Sequence, residues 1–168
     1  MLSIVRFCGY AAVCAAGVLI VTGSAVRAAT TTSTMTVQMT ITATCTVNSA
    51  TSLNFGTQGI LSANVDQTST IQVTCTNTTP YNIGLDAGTG TGATVATRKM
   101  TSGANTVNYT LYSNSGRTTV WGNTVGTDTQ AATGNGSAQS YTVYGRVPSQ
   151  AAPAPGSYSD TITITVTY

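Results

Sequence analysis

Histidine and glutamate are absent from this 168-residue chain, and charged residues of every kind make up only 6% of it. Without them the usual general base is missing, and neither a Ser-His-Asp nor a Cys-His nucleophile can be assembled. The four acids, Asp66, Asp86, Asp128 and Asp160, fall one to a segment, and nothing in their spacing pairs them for acid–base work. Lys99 is the only lysine, and no motif sets a serine beside it to be activated. Gly88, Gly90 and Gly92 imitate a phosphate loop, but the Lys-Ser/Thr of a P-loop does not follow, so they read as plain loop. The expectation is a protein that is not an enzyme, with no catalytic residue, no metal and no cofactor.

Positive charge is equally sparse. The net charge of +2 includes Arg6 and Arg27. Beyond them, Arg98, Lys99, Arg117 and Arg146 face the four aspartates and cancel them. No basic patch is left to neutralise phosphates, which argues against a nucleic-acid partner. Arg98 and Arg146 are expected to cover an edge or to pair with aspartate. The long apolar run from Phe7 to Val21 follows Arg6 and is broken by Thr22-Gly23-Ser24. It is shorter than the roughly 20 residues of a spanning helix, and Val26-Arg27-Ala28 offers small residues where a signal peptidase reads. Residues 1–28 are therefore expected to be a signal peptide cleaved after Ala28, with Ala25 as second choice, leaving no stable membrane span. The remaining chain of about 140 residues fits one domain.

Cys8 and Cys14 lie within that leader, which leaves Cys45 and Cys75. In an exported chain two cysteines read as one disulfide. Metal binding is the rival, but two cysteines without histidine make a poor ligand set.

Threonine and alternation dominate what is present. Between Thr34 and Cys45 the sequence alternates without a slip. Met35, Val37, Met39, Ile41 and Ala43 point one way, and the threonines and Gln38 point the other. Period-2 alternation is the signature of a strand with one buried face. No Asn-Gly or Asp-Gly turn follows to fold it back as a hairpin. Such a strand needs a groove, and that groove need not belong to the same molecule. Further alternating runs are Thr70–Cys75, Pro80–Leu85, Thr106–Tyr112, Ser140–Tyr144 and Thr161–Tyr168, separated by glycine, asparagine, serine and proline. Short alternating strands at turn-rich spacing indicate an antiparallel β-sandwich, and no helical period occurs outside the leader. Residues 87–92, 122–136 and 148–156 read as loops. Trp121 reads as a strand-end core aromatic, with a sugar-stacking platform as the rival.

The order of several short motifs resembles a known family. Cys45-Thr-Val, Leu53-Asn-Phe-Gly56, Ile71-Gln-Val-Thr-Cys-Thr76, Arg98-Lys-Met100 and Tyr109-Thr-Leu-Tyr112 are followed by Trp121-Gly122 and Val143-Tyr-Gly-Arg146. Gly156-Ser-Tyr-Ser-Asp-Thr161 and a closing Val166-Thr-Tyr168 complete the set. Together they resemble spore coat protein U domains, the group that includes the major subunits of archaic chaperone–usher pili. Ser113-Asn114 departs from the acidic residue often found after the Tyr-x-Leu-Tyr element, which changes a turn.

The resemblance implies an all-β, incomplete immunoglobulin-like sandwich that lacks its last strand and carries an N-terminal donor strand. The implied division is a leader (1–28), a donor-strand extension (29–43) and a sandwich domain (44–168). Met35, Val37, Met39 and Ile41 would be the donor residues. Tyr158, Ile162, Ile164, Val166 and Tyr168, on a last strand from Ser157 to Tyr168, would border the acceptor groove. The implied partners are neighbouring subunits, a periplasmic chaperone and an outer-membrane usher, on the way through the periplasm to a cell-surface fimbrium with roles in adhesion and biofilm. Behind the pilus subunit stand two other readings, a spore or cell coat protein of the same fold and a carbohydrate-binding adhesin module.

Overall fold

The computed structural model describes residues 23–168, so the expected leader lies outside the described residues as far as position 22. Two units are distinguished, one ending at Met39 and the other running from Thr40 to Tyr168. In the first unit, residues 23–39 form neither helix nor strand. The second is a sandwich of eight strands, and the described residues contain no helix.

The strands are β1 (Cys45–Ala50), β2 (Val65–Cys75), β3 (Pro80–Leu85), β4 (Arg98–Ser102), β5 (Asn105–Tyr112), β6 (Gln130–Thr133), β7 (Ala138–Val147) and β8 (Ile164–Thr167). One sheet has the order β1-β2-β7-β5-β4 and the other β6-β3-β8, and every pairing is antiparallel. Alternation explains the inner faces. Ile71, Val73 and Cys75 of β2, Tyr81, Ile83 and Leu85 of β3, and Val107, Tyr109 and Leu111 of β5 are all buried. Trp121 joins them at 1% exposure, its indole N–H donating to the Ile83 carbonyl at 2.8 Å. The core reading of Trp121 is therefore the right one, and no face of its ring is free for a sugar.

Cys45 and Cys75 are directly opposite in the β1–β2 ladder and are joined by a disulfide. With a sequence separation of 30, the crosslink stabilises by on the order of 3–4 kcal/mol in the chain-entropy account. Asp66 accepts a two-pronged ion pair from Arg146 at 2.7 and 2.8 Å, and Arg117 approaches it at 3.4 Å. The Arg146 bonds, opposed by partial burial and aided by the Arg117 charge, hold the Asp66 carboxyl below its usual range.

The alternating run from Thr34 to Thr44 has no ladder partner within this chain, and the first pairing begins at Cys45. Several expectations need correction. The last strand is confined to Ile164–Thr167, although an isolated bridge pairs Ser159 with Thr101. The span 122–136 contains β6, whose Gln-Ala-Ala-Thr lacks any strong apolar alternation. β1 and β4 are additional strands. β1 carries a bulge between Val47 and Ser49 and is mostly exposed, while β4 opens on a charged residue that is nevertheless buried.

That residue, Arg98, neither covers an edge nor pairs with aspartate. It is 0% exposed, and its guanidinium donates to the carbonyls of Asp86 (2.7 Å), Val95 (2.8 Å), Leu85 (2.9 Å) and Trp121 (2.7 Å). Five fixed donors suit a junction where several chain segments present carbonyls to one point. Burial pushes its pKa down, against the favourable charges or hydroxyls of Tyr109, Asp86, Asp160 and Asp128.

Candidate functional site: an open groove between two sheet edges

β8 pairs only with β3, and β1 pairs only with β2, so each presents one unpaired edge. Between the sheets a groove of about 420 Å³ opens onto inward-facing residues of both. Ile71, Tyr109, Leu111 and Val143 line it from the larger sheet, and Leu85 and Ile164 from the smaller. All of these except the half-buried Ile164 belong to the buried core, so the groove reaches into the space between the two sheets. A second hollow of about 900 Å³ lies between the stretch from Ser52 to Leu61 and the loop from Ala152 to Tyr158. The two share Ser52, Leu53, Phe55, Met100 and Tyr158 on their walls and so lie side by side.

The wall formed by residues 51–55 is held by specific contacts. Thr51 N–H donates to the Thr70 carbonyl at 3.0 Å, continuing the β1–β2 ladder past Ala50. Ser69, an inward-facing polar residue, donates its hydroxyl to the Thr51 carbonyl. Phe55 meets Tyr109 edge-on, with ring centroids 6.3 Å apart. Gly145 makes this approach possible. A Cβ there would stand 2.6 Å from a Leu53 methyl and 3.0 Å from the Phe55 ring. The glycine of the Val143-Tyr-Gly-Arg motif is thus a packing requirement of the groove wall.

The opposite wall runs through residues 158–164 and is tied down by Asp160. Its carboxylate accepts from the Tyr109 hydroxyl (2.7 Å), the Thr89 amide and hydroxyl (both 2.8 Å) and the Thr161 amide (2.8 Å). Gly88, at φ +78°, leaves room for that carboxylate. Burial and the bond to Asp160 raise the Tyr109 pKa well above the ordinary tyrosine value. Asp86 adds a second tie, accepting from Thr163 N–H at 2.9 Å and Gly88 N–H at 3.0 Å. These polar ties hold the 158–164 segment to the 86–89 turn and to β5.

Of the acceptor residues expected from the sequence, Tyr158, Ile162 and Ile164 line the groove. Val166 packs half-buried against the core, and Tyr168 is 60% exposed beyond the end of β8. The expected donor residues are all exposed: Met35 88%, Val37 83%, Met39 83% and Ile41 79%. Sequence reasoning missed Leu53, Phe55 and Met100 as groove residues. Leu53 and Phe55 lie in a quoted motif, but their inward direction follows from the Gly145 gap, which needs the strand pairing to be known. Among the described residues no cluster of His, Cys, Asp or Glu could hold a metal ion. Lys99 donates to the Thr91 carbonyl at 3.1 Å.

The Spore Coat Protein U domain matches residues 31–165, including both groove walls and the exposed apolar segment. The chain belongs to the Spore Coat Protein U domain family. It is 34% identical to Protein U of Myxococcus xanthus over 173 residues, covering 94% of this chain and 96% of that protein. Among solved structures it resembles a chain of the CsuC–CsuE chaperone–tip adhesion subunit pre-assembly complex, from archaic chaperone–usher Csu pili of Acinetobacter baumannii. The TM-score is 0.56 at 25% identity, over 77% of this chain. The match spans only 40% of that other chain's length. The Spore Coat Protein U domain is thus seen here as an immunoglobulin-like antiparallel sandwich, a fold it shares with the matched part of that chain.

Proposed function

We propose that this chain is the structural subunit of a surface pilus that polymerises by donor-strand exchange. Residues 44–168 are the acceptor domain, and residues 29–43 are the donor extension of a neighbouring copy. The observation that carries this reading is a complementarity. A groove between residues 51–55 and 158–164 reaches the core, and β1 and β8 each keep an unpaired edge, while Met35, Val37, Met39 and Ile41 are exposed at period-2 spacing. Burying four such side chains contributes roughly 1.5–3 kcal/mol each, on the order of 6–12 kcal/mol gross. Backbone pairing to the β1 and β8 edges adds to it, as in other strand-addition complexes. A donor of 15 residues spans on the order of 45 Å, the length of a domain.

The contact is head-to-tail, so it does not close and a fibre results. An empty groove exposes an edge and part of the core, an aggregation hazard that calls for a periplasmic chaperone before an outer-membrane usher joins the subunits. The chaperone-bound neighbour among solved structures supports that partner. Such a subunit is exported through the periplasm and resides at the cell surface, in a fimbrium. The family description and Protein U favour one second reading, a coat protein using the same joint without a long pilus.

The test is Val37→Asp in the full chain. Export and the folded domain are expected to survive, while fibres disappear from electron micrographs. Normal fibres from this variant would falsify the donor-strand reading. Amorphous or sheet-like material from the unmodified chain, lost in the variant, selects the coat.

A further inference from the structure

The four methionines of this chain are Met1, Met35, Met39 and Met100. Apart from the initiator, all of them belong to the two sides of the proposed joint. Met35 and Met39 are 88% and 83% exposed on the donor segment. Met100, on β4 opposite Val107, lines both the groove and the hollow beside it. Elsewhere the core holds no methionine and is built mainly from valine, isoleucine, leucine and aromatics, with the disulfide-bonded Cys75. Methionine suits an irregular groove because its unbranched thioether adapts to the space offered. It is also a readily oxidised apolar side chain.

We infer that Met35 and Met39 are sites of reversible oxidation that gate assembly, with Met100 contributing from the acceptor side. This inference rests on the donor-strand reading. The oxidant is a peroxide. The thioether sulfur gives up two electrons and gains an oxygen, forming the sulfoxide, while the O–O bond breaks and water leaves. Before assembly both donor sulfurs stand in solvent and react. After assembly they are covered by a neighbouring subunit and are protected. The sulfoxide is polar and needs a hydrogen-bond donor when buried, yet the groove offers mostly aliphatic and aromatic walls. Burying such a group unpaired disfavours docking by roughly tenfold or more, and two of them by about a hundredfold. Methionine sulfoxide reductases reverse the change. Oxidation therefore stops the growth of a fibre and leaves its finished joints intact.

The experiment uses the exported full chain, purified as monomer and treated with hydrogen peroxide, with mass spectrometry locating each added oxygen. Fibre growth is followed by sedimentation and microscopy. Untreated chain is expected to polymerise. Chain oxidised at Met35 and Met39 is expected to polymerise at least about tenfold more slowly and to recover after reductase treatment. The combined variant Met35→Leu, Met39→Leu, Met100→Leu keeps side-chain volume and is expected to polymerise equally with and without peroxide. Equal growth from chain whose donor methionines are demonstrably oxidised overturns the inference and leaves donor-strand exchange standing. Equal inhibition of the leucine variant also overturns it, because the sensitive group then lies elsewhere. Unimpaired fibres from Val37→Asp overturn the donor-strand reading and the gate with it.

Discussion

Arg98 gives the sharpest prediction about what holds the groove open. Replacing it with methionine keeps most of the apolar volume of its stem and removes every donor. In a buried ion pair both partners can be exchanged for apolar groups, and the net change is then often small. Here the partners are backbone carbonyls, which no substitution removes. Two of the four contacts, to Leu85 and Trp121, are wholly buried. Orphaning a buried acceptor costs about 1–3 kcal/mol, so these two alone predict a loss of roughly 2–6 kcal/mol. That is a large share of the 5–15 kcal/mol typical of a whole domain. Leu85 also lines the groove, so the damage extends to the groove wall. Arg98→Lys retains the charge but not the fork, and should fall between wild type and Arg98→Met. The assay is denaturant unfolding of the monomer by tryptophan fluorescence, which reports directly because the single Trp121 is itself a partner. A loss below about 1 kcal/mol for Arg98→Met would refute the reasoning.

Three further outcomes are expected. Tyr81 and Tyr109 are held neutral, chiefly by burial and then by bonds to Tyr141 and Asp160, so their folded pKa values lie above the unfolded one. Their contribution is complete below about pH 10 and is lost as pH rises beyond it, by about 1.4 kcal/mol per pH unit for each. Denaturant melts across that range should show the decline, and Tyr109→Phe should roughly halve its slope; an unchanged slope contradicts the burial argument. Asp66 has the opposite sign. Its lowered folded pKa stabilises above the unfolded value near 4 and is lost below it, so Asp66→Asn should flatten the acid limb of the stability curve, measured between about pH 5 and 2. Replacing Cys45 and Cys75 together with serine should cost on the order of 2–5 kcal/mol in the same melts, and a neutral result would mean that the β1–β2 ladder already constrains the unfolded chain.

Much of the sandwich was legible because its central strands bury one face. Pro80–Leu85 coincides with β3, and Thr70–Cys75 and Thr106–Tyr112 fall within β2 and β5. Alternation is a direct imprint of that geometry. β1, β4 and β6 were less legible, for physical reasons. β1 and β4 are edges of the larger sheet, β6 is an edge of the smaller, and an edge strand has fewer apolar neighbours to satisfy. Arg98 goes further, since a buried cation reads from sequence as a surface residue until the carbonyls around it are known. The groove was legible in part. Ile162 and Ile164 marked one wall, while Met35 to Ile41, which read as an apolar face in need of a partner, stay exposed. Leu53, Phe55 and Met100, on the other walls, became visible only through Gly145 and the strand order. The run at Thr34–Thr44 shows the limit of alternation, which encodes a face to be buried and cannot by itself supply the ladder that makes a strand.

Donor-strand exchange is tested most directly by amide hydrogen exchange on monomer and assembled material, resolved to residues 34–43 and to β8. In the monomer these residues lack a strand partner on one or both edges, and fast exchange is expected at 34–43. In assembled material strong protection is expected along 34–43 together with new protection at the β8 edge, both abolished by Val37→Asp. Assembled material in which residues 34–43 exchange as fast as in the monomer would contradict it.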